Sequence, residues 1–448
     1  MFRKKHSLIK GTLILTSAGL VSRVLGFFFR IFLSHTFGEE QVGLYQLIFP
    51  FYALCLSLST SGLETAISRS VSRFHSLGRT QDGKLIFQTG LILSVLISLI
   101  CTLLVQKNSV FLSNRFLGDP RCATLLYLIV LALPAASVHS CICGYHYGLQ
   151  RTSVPAISQL IEQFVRISSV FVLYFIFILS GVHPAIPLAV SGIIFGELAA
   201  AGYSLFSLKK GFDADSPYIL SISKSCSELL RLSVPLTVNR TAITFLQGIE
   251  AASIPVCLEL ASHSASEALS IYGVLTGMAL PCILFPSALT NSVSLLLIPA
   301  VAQKQAESSS KETFLLIKKA AGGCFSLGLL CSVFFLLTGS FLGNFLFHST
   351  LAGNFIVTLA WICPFLYTSS ALLSAINGLG LTTLTLMINL LGLSIRILSV
   401  YFGIPHYGIT GYLWGLFISQ STVCLVALLT LSHEIKKEYL QSVESATD

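Results

Sequence analysis

Twelve runs of about 20 or more apolar residues follow one another along almost the whole chain, and they limit the possible folds more than any motif does. A helix needs about 20 apolar residues to cross the hydrocarbon core of a bilayer. Charged residues make up 10% of the sequence, against roughly 25% in soluble domains. We therefore predict an all-α polytopic membrane protein of about 12 transmembrane helices, at 11–37, 43–70, 85–105, 122–148, 154–181, 184–208, 232–260, 269–302, 314–337, 351–376, 381–403 and 408–432.

The polar segments between these runs predict two lobes and an orientation. The longest polar connection follows the sixth run, so we expect a six-helix lobe at 1–208, a cytoplasmic linker at 209–231, a second six-helix lobe at 232–432 and a cytoplasmic tail at 433–448. Lysine and arginine concentrate in the loops of one side, which is typical of cytoplasmic loops. This places both termini in the cytoplasm. The same distribution argues against nucleic acid as a partner.

The two predicted lobes resemble each other in sequence. The segment GLQRTSVPAISQLIEQFVRI, which starts at Gly148, aligns without a gap to GLGLTTLTLMINLLGLSIRI, which starts at Gly378. Weaker correspondences pair Arg23 with Arg240 and Glu64 with Asn291. An even number of spans separates the copies, so we expect a parallel repeat of two six-helix lobes about an axis along the membrane normal.

Five arginines lie inside predicted membrane helices. An arginine at the bilayer centre costs between about 3 and more than 10 kcal/mol, so these side chains must face a wet, paired or anion-binding interior. Polar side chains accompany them at helical spacing. The candidate ligands for an acidic substrate are Arg23, Arg30, Glu64, Arg240, Asn291 and Arg396, with Ser57, Ser61 and Ser294 as hydrogen-bonding partners.

Neighbouring acids divide the arginines into two classes. Glu162 and Arg166 stand at i and i+4 in the order that favours an ion pair, so we expect them to form a structural ion pair. Arg396, the repeat partner of Arg166, has Gly392 in the position of that acid. Glu64 is the expected partner or modulator of Arg23.

Metal and catalytic motifs are weak. His139, Cys143 and His146 share a helical face, but interior packing explains them better than a metal site. We expect no metal and no cofactor. The loops are too short for a soluble catalytic domain, and we predict that the chain is not an enzyme. Ion coupling stays open, and its carboxylate would be Glu64, Glu162, Glu197 or Glu250.

The opening GTLILTSAGLVSRVLGFFFRIFLSHTFGEEQVGLYQL resembles the first helix and loop of the SpoVB-type (stage V sporulation protein B) polysaccharide transporters. Their superfamily (MOP) includes MATE drug exporters and the Wzx-type and MurJ-type flippases. The resemblance implies two helical bundles that work by alternating access on a lipid-linked, pyrophosphate-bearing saccharide, and it carries the cavity-lining arginine of the SRVLGF motif onto Arg23. Arg30 stands one position later than that pattern places its second arginine. Family members typically have fourteen helices, and in MurJ-type proteins the last pair helps to house the lipid tail. With twelve predicted helices, this chain would have to house the tail differently.

Together these patterns predict a flippase for an undecaprenyl-pyrophosphate-linked oligosaccharide or peptidoglycan precursor, acting in cell-wall or spore-cortex synthesis. Its partners would be that lipid-linked saccharide, membrane lipids and cell-wall synthesis enzymes. Two alternatives stay open at this point: a cation-coupled drug exporter of the MATE type, whose cationic substrates the arginines would repel, and a non-transporting membrane scaffold for wall synthesis.

Overall fold

The computed structural model describes residues 2–208, 221–261, 263–306 and 310–444. In this part of the chain every regular element is a helix. The α-helices are α1 (Phe2–Leu56), α2 (Gly62–Ser76), α3 (Thr80–Lys107), α4 (Ser109–Leu112), α5 (Cys122–Ile129), α6 (Leu133–Gly148), α7 (Ser153–Leu179), α8 (Pro187–Leu208), α9 (Ile222–Leu260), α10 (Ala265–Gly273), α11 (Leu280–Leu284), α12 (Ser287–Ala306), α13 (Ser310–Phe347), α14 (Thr350–Leu359), α15 (Cys363–Gly378), α16 (Thr382–Leu398), α17 (Ile404–Tyr407) and α18 (Ile409–Glu444).

Eleven stretches of the described residues are long and apolar enough to cross a membrane. The first of them, Ile14–Ser76, has 63 residues. It would be about 95 Å long as a straight helix, roughly three times the hydrocarbon thickness. It contains two of the predicted helices, separated at Gly38, whose φ of 78° and ψ of 173° leave the helical region. No atom would obstruct a side chain at Gly38, so the backbone conformation alone requires glycine there.

Two predicted boundaries differ from the structure. The run 269–302 was expected as one helix, but the chain breaks at Phe285 and Pro286, between α11 and α12. Proline lacks the amide donor that would continue the helix. The predicted linker 209–231 lies outside the described residues at 209–220, and α9 already begins at Ile222. It begins early because Leu229 is fully buried in an apolar cluster with residues of α2, α3 and α6.

The chain divides into two compact units, Met1–Ala252 and Ser253–Asp448. Most of α9 belongs to the first unit. A Cβ atom at Gly62 of α2 would lie 2.5 Å from the Ser233 carbonyl oxygen and 2.0 Å from the Thr237 hydroxyl oxygen, so only glycine allows these helices to approach so closely. The prediction of lobes at 1–208 and 232–432 places α9 in the second lobe instead, and that division stays a prediction. Of the predicted tail 433–448, residues up to Glu444 continue α18, and the rest lies outside the described residues.

The internal repeat extends to backbone geometry at an offset of 230 residues. A tight turn of 3-10 helix at Val130–Ala132 precedes α6, and one at Ala360–Ile362 precedes α15. Gly148 at the end of α6 packs against the Ser68 carbonyl and Val71, and Gly378 at the end of α15 packs against the Ile298 carbonyl and Val301. The contacted residues are also 230 positions apart, Ser68 with Ile298 and Val71 with Val301. In this register α2 and α12 are therefore structural counterparts.

Candidate functional site

Close helix packing in the first unit brings its buried ionisable residues together. A Cβ atom at Gly196 of α8 would lie 2.8 Å from the Glu162 carbonyl oxygen, and one at Gly192 would lie 2.9 Å from the Arg166 carbonyl oxygen. Glycines at both positions allow α8 to lie against α7 along one seam. Glu197, next to Gly196, is thereby placed beside Glu162.

These residues form an ion network in the interior of the first unit, which we call the buried network (Tyr52, His139, Glu162, Arg166 and Glu197). An Arg166 amino group donates to a Glu162 carboxylate oxygen. His139 Nδ1 lies 3.4 Å from Glu197 Oε2, and the carboxylates and the imidazole offer ligand atoms within 4.8 Å of one another. Tyr52 Oη is buried without a hydrogen-bond partner in the described residues, and Tyr52 is in electrostatic contact with Glu197, Arg166 and Glu162.

The hydrogen bonds around His139 connect it to α7 as well as to α8. Its Nε2 lies 3.0 Å from the Ser158 hydroxyl, which in turn donates to the Pro155 carbonyl at 2.9 Å. The hydroxyl has only one proton, so its oxygen accepts from His139. Both ring nitrogens of His139 therefore face acceptor oxygens. Each nitrogen needs a proton to donate to its acceptor.

The geometry favours an ion network over a metal site. Three ligand groups are close enough together to hold a cation, but Arg166 already places a permanent positive charge on Glu162. A metal ion there would be repelled by the guanidinium group. Of the other residues on the predicted histidine face, Cys143 Sγ lies 3.7 Å from the Ser158 hydroxyl, and His146 Nε2 lies 3.2 Å from the Ser207 hydroxyl.

Two of the predicted substrate ligands of the first unit, Arg23 and Arg240, are more accessible than the buried network. Arg23 on α1 and Arg240 on α9 are both exposed, and neither forms an ion pair with a described carboxylate. Glu64 on α2 is half-buried and in electrostatic contact with His139 and Arg240. Arg23, its expected partner, forms no ion pair with it in the described residues. Arg30 is half-buried and in electrostatic contact with Tyr45 and Arg166.

Ser57 and Ser61 lie in a π-helical turn, Ser57–Ser61, that connects α1 to α2. Their hydroxyl oxygens are 3.4 Å apart, and the Ser57 hydroxyl is also 3.4 Å from that of Thr241 on α9. The Ser61 hydroxyl donates to the Ser57 carbonyl at 2.9 Å. These serines therefore form a neutral polar strip beside the helix that carries Arg240.

The predicted ligands of the second unit form a neutral group. The Ser370 hydroxyl lies 3.1 Å from Asn291 Oδ1 and 3.1 Å from the Ser294 hydroxyl. The register fixed by Val71 and Val301 makes Ser294 the counterpart of Glu64, rather than Asn291 as the sequence alignment indicated. Asn291 lies one turn earlier on the same helix. Both residues are uncharged, so this unit has no acid where the first has Glu64.

Arg396 on α16 is half-buried in the second unit. At Gly392, where the first unit has Glu162, a Cβ atom would lie 2.6 Å from a methyl carbon of Val423 on α18. That helix therefore occupies the space that an acidic side chain would need.

Sequence reasoning did not find the buried network as a whole. It linked Glu162 to Arg166 but assigned His139 to packing, named Glu197 only as one possible coupling carboxylate, and did not consider Tyr52. A usable signal was present: Gly192 and Gly196 stand one turn apart beside Glu197 in an apolar run. Small residues at this spacing indicate close helix contact in membranes.

The family follows from a comparison of the chain with known proteins. Residues 8–305 match the model of the family described as polysaccharide biosynthesis protein. The chain belongs to this family. It is a multi-pass membrane protein, since the described residues contain eleven candidate membrane-spanning helices.

Two relatives of this polysaccharide biosynthesis family member come from Bacillus subtilis (strain 168). The stage V sporulation protein B is 29% identical over 435 residues, which are 96% of this chain and 84% of that protein. The lipid II flippase MurJ is 25% identical over 317 residues, which are 66% of this chain and 58% of that protein.

Solved structures of MATE-type transporters share the fold. An inward-facing multidrug resistance MATE family transporter of the MOP superfamily has a TM-score of 0.70 and 15% identity, with 94% of this chain and 96% of that one covered. A Pyrococcus furiosus MOP superfamily transporter, described as having a binding pocket of reverse polarity, has a TM-score of 0.66 and 14% identity over 97% and 96%. At such identities the likeness concerns the fold alone.

Proposed function

We propose that this protein is a flippase that moves an undecaprenyl-pyrophosphate-linked oligosaccharide or peptidoglycan precursor across the bacterial cytoplasmic membrane. The observation that carries the proposal is the exposure of Arg23 and Arg240 without an ion-pair partner among the described carboxylates. Both lie in membrane-spanning helices of the first unit, both are exposed, and neither forms an ion pair with a described carboxylate. Membership of the polysaccharide biosynthesis family and the likeness to a lipid II flippase also support the proposal.

Two exposed guanidinium groups in a membrane protein require an aqueous or anionic environment, because a lipid-facing arginine is costly. A pyrophosphate supplies that environment and suits the planar donor fork of arginine, which binds phosphate oxygens through two hydrogen bonds. Glu64, in electrostatic contact with Arg240, would compete with the phosphate for that guanidinium and so favour release. The strip of Ser57 and Ser61 offers hydroxyls to the saccharide.

In this proposal both termini are cytoplasmic and the substrate enters from the cytoplasmic leaflet. Rocking of one lobe against the other would expose the substrate to the two faces in turn, as in other transporters with parallel repeats. Pro286, at the break between α11 and α12, is a candidate bend point.

The test follows the leaflet accessibility of a labelled lipid-linked precursor in vesicles that contain the wild type, Arg23→Gln or Arg240→Gln. Arg115→Gln is the matched control, since Arg115 is an exposed arginine between the candidate spans. Each lost charged hydrogen bond should slow translocation about tenfold or more, and the control should behave as the wild type. If wild-type vesicles match empty ones, the flippase proposal fails. If both variants flip at the wild-type rate, the assignment of the arginines fails.

The two alternatives give different results in the same vesicles. A drug exporter of the MATE type would move a cationic dye and leave the lipid-linked precursor in place. A scaffold would move neither.

A further inference from the structure

A cavity of about 210 Å³ lies at one end of the first unit, where α2, α3, α6 and α8 meet. It is separate from both the buried network and the exposed arginines. Its wall is formed by Val71, His75, Thr80, Gly83, Lys84, Tyr145, His146, Leu149, Arg151, Ser207 and Leu208. We propose that this cavity binds a phosphate monoester group, and we call it the basic cavity.

The charge of the wall points to an anion. Lys84 and Arg151 supply basic side chains, His75 and His146 add imidazoles, and no lining residue is acidic. Asp82 is next to the lining residue Gly83 in sequence, and its carboxylate oxygen forms an ion pair with an Arg79 amino group at 2.7 Å. Thr80, Gly83 and Lys84 belong to the first turns of α3, and a helix N-terminus adds a partial positive charge.

The position of Arg151 depends on a strained turn after α6. Gln150 has a φ of 58°, a left-handed conformation that is costly for a residue other than glycine. The turn lets the Arg151 amide donate to the His146 carbonyl at 2.9 Å, and Arg151 thereby reaches the cavity wall. In the second unit Gly380 takes the corresponding left-handed position without strain.

The second unit shows that the fold does not require this basic wall. At the offset of 230 residues, Leu381 replaces Arg151, Ile376 replaces His146 and Ala375 replaces Tyr145. The Leu381 amide still donates to the Ile376 carbonyl, at 3.1 Å. The same turn is therefore built from apolar residues in one unit and from cationic, imidazole and phenol groups in the other.

The volume limits the size of the ligand. Sites for drug-sized molecules occupy roughly 300–1,000 Å³, so a cavity of 210 Å³ suits a small charged group rather than a whole lipid-linked saccharide. A phosphate monoester has up to two negative charges and several acceptor oxygens, which match Lys84, Arg151 and the hydroxyl of Thr80. It could come from a soluble phosphate or from the headgroup of a phosphatidic-acid-type lipid.

The experiment uses the full chain in phosphate-free detergent micelles and measures heat of binding. The ligands are inorganic phosphate, short-chain phosphatidic acid and, as a zwitterionic control, short-chain phosphatidylcholine. We expect the first two to bind competitively and Arg151→Gln to weaken both about tenfold. Arg69→Gln, an exposed arginine of α2 outside the cavity wall, should leave affinity within about twofold of the wild type.

A second variant, Lys84→Gln, should weaken both ligands to a similar degree, and its thermal unfolding shows whether it is folded. Much tighter binding of phosphatidic acid identifies a lipid source, and equal affinities identify a soluble one; both outcomes support the proposal. Absence of binding, binding of phosphatidylcholine with equal affinity, or affinities unchanged by Arg151→Gln would overturn it.

Discussion

Removing Arg166 should destabilise the protein more than removing its partner Glu162. The side chains are 20% and 18% exposed, so this is a largely buried ion pair. Two unit charges about 4 Å apart interact by about 4 kcal/mol at an effective dielectric constant of 20. Breaking a buried pair typically costs about 3–5 kcal/mol, because the remaining charge loses its partner.

The buried network makes the two losses unequal. After Glu162→Gln, Arg166 is still in electrostatic contact with Glu197, so we expect a loss of about 1–2 kcal/mol. After Arg166→Gln, two carboxylates with oxygens within 4.8 Å of each other have only the imidazole of His139 within the same distance among the described ligand groups, and we expect a loss of about 3–4 kcal/mol. In the double variant the loss should be smaller than the sum, with a coupling energy of about 1–3 kcal/mol.

The assay is reversible unfolding in mixed micelles of mild detergent and dodecyl sulfate, followed by helical circular dichroism. Arg115→Gln is again the control and should shift the unfolding free energy by less than about 0.5 kcal/mol. An equal or larger loss for Glu162→Gln, or a double variant whose loss equals the sum, would refute the reasoning.

Three further predictions use the same unfolding assay. Gly148→Ala and Gly378→Ala should each cost about 1–3 kcal/mol and should agree within error, because both new methyl groups meet a carbonyl oxygen and a valine at nearly equal distances. Tyr52→Phe should leave stability unchanged or raise it by up to about 1 kcal/mol, since it removes a buried hydroxyl that has no partner among the described residues. Arg121→Gln breaks ion pairs to Glu40 and Asp119 but should cost less than about 1 kcal/mol, since its side chain is 44% exposed. The hydrogen bonds that Arg121 donates to the Asp119 carboxylate raise the pKa of Arg121 above its ordinary value. Arg121 stays charged below that pKa, so this loss should not vary between neutral and mildly alkaline pH, where the carboxylates are also charged.

The all-α membrane class and most helix positions could be predicted from sequence, because apolar length alone specifies a membrane-spanning helix. The break at Pro286 could have been predicted from its missing amide donor. The early start of α9 could not, since it depends on burial of Leu229 against helices distant in sequence.

The candidate site, too, could be predicted from the sequence only in part. The contact between Glu162 and Arg166 follows from helical spacing, which is local. The meeting of His139, Glu197 and Tyr52 depends on how three separate helices pack. The register of Glu64 with Ser294 required the contacts of Gly148 and Gly378. The roles of the arginines in substrate binding stay predictions until they are measured.

The shared packing of α6 and α15 has a consequence for how such a chain changes over time. Gly148 and Gly378 preserve the same backbone contacts, yet Ser369 stands where the first unit has His139, and Gly392 where it has Glu162. The two units thus share these packing contacts, while the ionisable side chains near them differ. Substitutions that change the charge of one unit can therefore accumulate without disturbing the contacts of Gly148 and Gly378.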